Sequence, residues 1–225
     1  MRRAPRPADG GWPKRWFDLT LASLLLLLLS PVMLFCAAAV RIADGSPVLF
    51  HQDRIGRHAR GFRMIKFRTM RAGMGPNVTV AGDARVTRVG RVLRRFKLDE
   101  LPQLWNVLVG EMSFVGPRPE LPVYVAMHQR AYRAVRDLRP GITDWASLIF
   151  LNEEELLRAH KMAPGFYEAV LLPRKLALAR LYRRRRSGLL DVCLVAATAC
   201  AAIGLARLSE AILGRELVTR ARRFR

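Results

Sequence analysis

Two adjacent carboxylates, Asp99 and Glu100, are the residues of this sequence best placed for chemistry, because they stand in a strongly basic neighbourhood. They precede the apolar pattern of Leu101, Leu104 and Leu108, which predicts a helix. One hypothesis is structural: Asp99 caps that helix and the second carboxylate favours its dipole. The other is functional: nearby arginines lower the pKa of Asp99 and keep it ionised, so that it can ligate a divalent cation or attack an electrophilic phosphorus.

Cationic side chains suited to phosphate binding occur on both sides of this pair. After it, residues 116–119 (GPRP) predict a rigid turn that presents Arg118 between Pro117 and Pro119. The forked guanidinium of arginine matches the geometry of a phosphate. Before the pair, the candidates are Lys66 and Arg68 in KFRTM, and Arg88, Arg91 and Arg94 in TRVGRVLR. The three-residue spacing makes the last group spiral around a helix, so only a few of these charges can converge on one phosphate.

The composition indicates a protein that works at a membrane. The 225 residues include 39 Lys and Arg against 18 Asp and Glu, a net charge of +21, and 51% are hydrophobic. A chain this apolar can fold, which excludes a disordered basic tail, and its length excludes a large multidomain assembly. Residues 19–40 carry no charge and are long enough to cross a bilayer core of roughly 30 Å. No recognition helix or stacking platform is evident, so no nucleic-acid partner is expected.

The apolar segment has three interpretations: a transmembrane helix, a cleaved signal peptide, or a re-entrant helix whose two ends stay on one face. Ser30 and Pro31 lie near its middle. Proline removes a backbone hydrogen bond there, and a serine hydroxyl can take up the freed carbonyl. Basic residues flank both ends, and such residues favour the cytoplasmic side. This pattern favours the re-entrant helix, bent at Ser30 and Pro31, over a simple span.

The whole chain predicts an α+β, mainly helical monotopic membrane protein with a small β-hairpin. The hairpin strands are expected at residues 47–52 and 62–67. We expect a basic N-terminus and re-entrant helix at 1–41, a cytoplasmic domain on the membrane surface at 42–182, and a basic and apolar helical tail at 183–225. In the tail, residues 188–206 have arginines at both ends. A helix packed on the domain or lying in the interface is therefore favoured over a second span, with the arginines at 183–186 touching lipid head groups.

Together these features resemble the bacterial sugar transferases, the small monotopic phosphoglycosyl transferases that load phosphosugars onto a polyprenyl carrier. The resemblance runs from about Lys14 to Leu148 and is specific because several long matches occur in order. They are the Ser30-Pro31 break, PVLFHQDRIGRHARGFRMIKFRTM, TRVGRVLRRFKLDELPQLWNVLVGEMSFVGPRPE and RPGITDWASL. It implies a re-entrant helix that anchors a catalytic domain on the cytoplasmic face of the cytoplasmic membrane.

The resemblance also implies a mechanism and its participants. Asp99 matches the nucleophile, which attacks the β-phosphorus of a UDP-sugar, releases UMP and holds a covalent phosphosugar until a polyprenyl phosphate takes it up. Glu100 matches a carboxylate that assists Mg²⁺ binding or orients Asp99, so both are the expected metal ligands. Arg118 ranks first among the phosphate-binding candidates. Further expected partners are anionic membrane lipids, and a homodimer remains open. Such an enzyme performs the first membrane step of a polysaccharide or glycoconjugate pathway, for exopolysaccharide or lipopolysaccharide.

Two departures from the family pattern bear on specificity. Glu111 stands where the family often has aspartate, a change suited to an exposed turn. Beyond Thr143 the sequence diverges, and no arginine occurs between Arg139 and Arg158. If relatives bind the nucleotide sugar with an arginine there, this chain lacks it or supplies one from elsewhere. The identity of the sugar is not predicted, and a membrane-surface scaffold that has lost turnover is the alternative function.

Overall fold

The computed structural model describes residues 11–71, 78–160 and 163–213. The longer helices are α1 (Gly11–Asp44), α2 (Arg88–Arg95), α3 (Gln103–Val109), α9 (Leu172–Arg185), α10 (Gly188–Ala202) and α11 (Ala206–Leu213). Shorter helices are α4 (Pro122–Met127), α5 (Gln129–Tyr132), α6 (Trp145–Ile149), α7 (Glu153–Arg158) and α8 (Ala163–Phe166). The strands are β1 (Leu49–Ile55), β2 (Gly61–Phe67), β3 (Ser113–Val115) and β4 (Gly141–Thr143). Single helical turns lie at Arg57–Ala59, Leu98–Glu100 and Tyr167–Leu171. The predicted α+β, mainly helical class is confirmed.

The first sheet is the predicted hairpin, in which β1 and β2 pair antiparallel from Leu49 opposite Phe67 to Ile55 opposite Gly61. The first strand begins and ends later than predicted. Asn106 of α3 fastens the hairpin to the domain, because its side-chain oxygen accepts the N–H of Ile65 at 3.1 Å. Its amide nitrogen donates to the carbonyl of Arg63 at 2.9 Å. The side-chain oxygen and nitrogen of Asn106 therefore hold β2, the strand that carries Lys66, in place.

The second sheet is a parallel pair of short strands that holds the GPRP turn in place. Gly116 donates to the carbonyl of Thr143 at 3.1 Å, and Gly141 donates to that of Pro117 at 3.0 Å. The two glycines approach so closely that a Cβ on Gly141 would lie 2.2 Å from the nitrogen of Gly116. Glycine is required at both positions by this contact between backbones.

The main core surrounds this second sheet and is built from apolar side chains of α3, α6, α9 and α10. Met112, Val107, Leu171 and Leu194 are fully buried within it. Because α10 contributes Leu194 and Ala197 to this core, the first part of the tail packs on the domain. Residues 214–225 of the predicted tail lie outside the described residues.

One of the tail arginines makes contacts within the domain. Arg183 donates to the carbonyl of Ala134 at 2.8 Å and pairs with the carboxylate of Asp137 at 2.6 Å. Its guanidinium therefore joins α9 to the chain that follows α5. Arg184 and Arg185 lie exposed at the end of α9.

Helix α1 is the one described helix long and apolar enough to cross a membrane. It continues through Pro31, and the hydroxyl of Ser30 donates to the carbonyl of Leu27 at 2.8 Å. Leu27 is the residue whose carbonyl Pro31 cannot bond, so the serine satisfies it as predicted. The bend and the re-entrant path stay predictions, as do the three domain boundaries.

Both ends of α1 pack against the same domain. Near its start, the carboxylate of Asp18 accepts hydrogen bonds from Ser113 and Phe114 at 3.0 and 3.1 Å. Near its end, Cys36 and Val40 pack with Phe67 and Leu93. Between these contacts the helix exposes several large apolar side chains, among them Leu24, Leu27, Leu28, Leu34 and Phe35.

Candidate active site

Asp99 and Glu100 lie in the single helical turn Leu98–Glu100, between α2 and α3. Lys97 adopts the left-handed conformation with φ 57°, which turns the chain sharply into this segment. Helix α3 begins only at Gln103, and Pro102 occupies its cap position. The capping hypothesis for Asp99 is therefore wrong.

Glu100 is clamped by two cations that the sequence predicted as phosphate ligands. One carboxylate oxygen, Oε1, lies 2.9 Å from Lys66 Nζ and 3.0 Å from Arg118 Nη2. Burial by itself raises the pKa of Glu100, but Lys66 and Arg118 outweigh it and hold that pKa well below its usual range. Glu100 is therefore ionised, and it draws a β2 side chain and the GPRP turn to one point.

Asp99 has the opposite environment. Its residue surface is 7% exposed, and its Oδ1 atom is buried with no hydrogen-bond partner in the described part of the chain. Burial raises the pKa of Asp99, and the negative charge of Glu100 adds to the rise against the opposing effect of Lys66. The expectation that arginines lower this pKa is wrong, because loss of water outweighs their attraction.

The GPRP turn is held from below by a buried ionic cluster that sequence analysis missed. Arg54 of β1 donates to the carbonyl of Pro119 at 3.0 Å and lies 3.8 Å from the carboxylate of Glu120. The hydroxyl of Tyr167 donates to Glu120 at 2.7 Å. In the sequence Arg54 is one of many basic residues, and no local pattern indicates that it packs beneath Arg118.

The remaining predicted cations do not all converge. Arg68 donates to backbone carbonyls at the end of α1, including those of Gly45 and Ser46 at 2.8 Å, which makes it an anchor for that helix. Arg88 and Arg91 lie exposed on α2. Arg94 points back toward the site, where its charge acts on Asp99, and its guanidinium pairs with Glu154.

Helix α7, from the divergent region after Thr143, adds acidic groups beside the site. Glu153 Oε1 accepts from Lys175 Nζ of α9 at 2.7 Å. The Lys175 side chain is 8% exposed and packs 4.8 Å above the ring of Tyr167. Lys175 also lines a small cavity of about 20 Å³ together with Pro117, Arg118, Glu120 and Asp144. These acidic residues lie in the region that departs from the family pattern, and no sequence motif distinguishes Lys175.

The donor set of the site suits a magnesium ion. Mg²⁺ is usually bound through one or two carboxylates together with substrate phosphates and water. Asp99 and Glu100 supply two carboxylates, and the unpartnered Oδ1 of Asp99 is a buried acceptor that a cation would satisfy. In the described part of the chain no histidine, cysteine or further carboxylate completes a three-residue cluster.

Known proteins are similar in sequence to this chain, and three of them illustrate the range. An undecaprenyl-phosphate glucose phosphotransferase of Komagataeibacter xylinus is 46% identical over 158 residues, 66% of this chain and 30% of its own length. A UDP-glucose:undecaprenyl-phosphate glucose-1-phosphate transferase of Escherichia coli is 42% identical over 145 residues, 60% of this chain and 30% of its own length. The exopolysaccharide production protein ExoY of Rhizobium meliloti is 40% identical over 158 residues, 62% of this chain and 70% of its own length.

The matched region spans less than a third of the first two relatives, which are much longer proteins. A family model described as bacterial sugar transferase matches residues 10–204, which include α1, both sheets and the carboxylate pair. With that match over most of its length, this chain belongs to the bacterial sugar transferase family.

Proposed function

We propose that this protein transfers a sugar-1-phosphate from a UDP-sugar to a polyprenyl phosphate such as undecaprenyl phosphate, with release of UMP. The observation that carries the proposal is the contrast between two neighbouring carboxylates. Glu100 is bound by Lys66 and Arg118, whereas Asp99 keeps a buried oxygen that has no partner among the described residues. The names of the Komagataeibacter and Escherichia relatives support this class of donor and acceptor.

The first chemical step is displacement at the β-phosphorus of the donor. A carboxylate oxygen of Asp99 forms a bond to that phosphorus, and the bond to the oxygen bridging the two phosphates breaks. UMP leaves with the bonding electrons, and the sugar phosphate remains on Asp99 as an acyl phosphate. Lys66 and Arg118 neutralise phosphate oxygens, which a carboxylate could not otherwise approach. When bound, Mg²⁺ would be held by Asp99 and Glu100 and would supply further charge neutralisation.

The second step returns the carboxylate. A phosphate oxygen of the polyprenyl phosphate attacks the same phosphorus, and the bond to Asp99 breaks. The products are a polyprenyl diphosphate sugar and the free enzyme. A relay of this kind lets a soluble nucleotide and a lipid use one site in turn.

We propose a monotopic arrangement at the cytoplasmic membrane, with the domain on the cytoplasmic face. The packing of both the start and the end of α1 on one domain supports the monotopic arrangement. Its exposed middle, including Leu27 and Leu28, would enter the lipid. Exposed Arg88 and Arg91 on α2 stand beside exposed Val92, a combination suited to anionic head groups.

The proposal is tested by UMP release from a panel of UDP-sugars, with Mg²⁺ and undecaprenyl phosphate, using wild type and Asp99→Asn. Asp53→Asn is the matched control, since Asp53 lies exposed on β1. We expect one or a few donors to release UMP, Asp99→Asn to abolish release, and Asp53→Asn to leave it unchanged.

The covalent step has its own readout. Without the lipid acceptor, wild type should release about one UMP per protein and gain the mass of one sugar phosphate. Folded wild-type protein that is silent with every donor would support the scaffold alternative. Release that survives Asp99→Asn would remove Asp99 as the nucleophile.

A further inference from the structure

The sugar of the donor must lie close to Arg118. In the proposed reaction the β-phosphate sits between Asp99 and the cations on Glu100, and the sugar is bonded directly to that phosphate. Its hydroxyl groups therefore fall within about one sugar ring of this point. Arg118 lines a small cavity of about 20 Å³ together with Pro117 and Lys175, so Lys175 also lies close to this point.

Glu153 of α7 lies beside this point, because it pairs with Lys175. Its charge is felt at Arg118, where, after Glu100, it is the next acidic group to raise the pKa of the guanidinium. Oε1 is fixed by Lys175 at 2.7 Å. Within residues 11–71, 78–160 and 163–213 no hydrogen bond occupies Oε2, and the side chain is 27% exposed. One oxygen is thus held in place while the other can accept from a ligand.

The surrounding structure makes Glu153 a rigid feature. Leu157, one turn further along α7, is 1% exposed and packs in the main core. The carbonyl of Glu154 accepts the N–H of Ala81 at 3.0 Å, which ties the helix to the segment before α2. Lys175 is buried on α9, so the group that orients Glu153 cannot follow it into solvent.

We propose that Glu153 is a specificity-determining residue that accepts hydrogen bonds from hydroxyl groups of the donor sugar, with Lys175 as its positioning residue. This inference rests on the proposed function. A fixed carboxylate favours neutral, hydroxyl-rich hexoses and repels donors with a carboxylate on the ring, such as a uronic acid. The divergent region after Thr143 thus supplies an acceptor for the sugar.

The test compares kcat/KM for UMP release from neutral UDP-hexoses and from UDP-glucuronate. Wild type should prefer the best neutral donor. Glu153→Gln should lower kcat/KM for that donor by about ten- to a hundredfold, because a charged acceptor is lost. The ratio of kcat/KM for that donor to kcat/KM for UDP-glucuronate should fall at least tenfold. Glu155→Gln, on an exposed residue of the same helix, should change both values less than twofold.

Further variants keep the inference open to refutation. Glu153→Asp draws the carboxylate back by one carbon and should recover the discrimination against UDP-glucuronate but not the full rate. Lys175→Gln should lower both the rate and the discrimination against UDP-glucuronate. Thermal melting identifies any variant that fails to fold. A wild type that prefers UDP-glucuronate, or an unchanged donor preference in folded Glu153→Gln and Glu153→Asp, overturns the inference. Wild type inactive with every donor would instead overturn the proposed function.

Discussion

Arg54 offers the most informative single perturbation, because it joins the hairpin to the turn that carries Arg118. Its side chain is 17% exposed, donates to Pro119 at 3.0 Å and lies 3.8 Å from Glu120. Burial lowers the pKa of Arg54 and Glu120 opposes that effect, so the two charges are mutually dependent. Arg54→Met keeps most of the side-chain volume but leaves Glu120 buried without its cation.

The expected cost follows from the geometry. Unit charges 3.8 Å apart interact by about 4 kcal/mol at an effective dielectric constant of about 20. Removing one partner of a buried pair typically costs about 3–5 kcal/mol. Because Arg54 is partly exposed and Tyr167 still bonds Glu120, we expect a loss of about 3 kcal/mol. In a protein of this size that lowers the melting temperature by about 6–12 °C.

Thermal melting in detergent and UMP release together measure this effect. Glu120→Gln removes the orphaned charge, so the double variant should be about 2 kcal/mol more stable than the sum of the two single losses. Arg63→Met is the control, since Arg63 and Asp53 form an exposed pair at 3.9 Å that should contribute little. Activity of Arg54→Met should fall at least tenfold, because Arg118 loses its support. Additive losses, or a melting temperature within 2 °C of wild type, would refute the reasoning.

Three further predictions address the hairpin, the membrane and the metal. Asn106→Ala removes the acceptor for the N–H of Ile65 and should lower the free energy of unfolding by about 2–3 kcal/mol. Turnover should also fall, because Lys66 shifts. Thermal melting and UMP release measure the two effects, and an unchanged melting temperature would contradict the prediction. Arg184→Ala should leave turnover in detergent within twofold but weaken sedimentation with anionic vesicles about fivefold; a larger effect on turnover would misplace the site. EDTA should abolish UMP release and added Mg²⁺ should restore it, whereas full turnover in EDTA would exclude a divalent cation.

Features set by nearby residues were predictable from the sequence. The hairpin follows from two apolar runs around a glycine-containing turn, and the structure contains it with its first strand displaced along the chain. Lys66 and Arg118, predicted as phosphate ligands, both contact Glu100, although the three residues come from separate segments. This contact was not predicted, since spacing along the chain does not indicate which cation reaches which carboxylate.

Features set by tertiary packing were not predictable in the same way. Arg68 looked equivalent to Lys66, but it lies just beyond the end of β2, where the alternation of the strand no longer holds, and its guanidinium reaches the carbonyls at the end of α1. Lys175 lay in an ordinary helical pattern. Its burial against Glu153 depends on how α7 and α9 cross, a relation between segments that no local pattern encodes.

The sign of the shift at Asp99 explains how neighbouring carboxylates can have separate tasks. A buried charge is tolerated when hydrogen-bonded cations replace the lost water, and Glu100 has two of them. Asp99 is attracted electrostatically by Lys66 but has no hydrogen bond to its Oδ1 atom from the described residues. It therefore bears the cost of burial without that compensation. A carboxylate in that state gains most from a cation or a phosphorus centre brought by the substrate. In the proposed reaction, Glu100 is therefore satisfied in advance and holds Lys66 and Arg118, whereas Asp99 is left unsatisfied and can react.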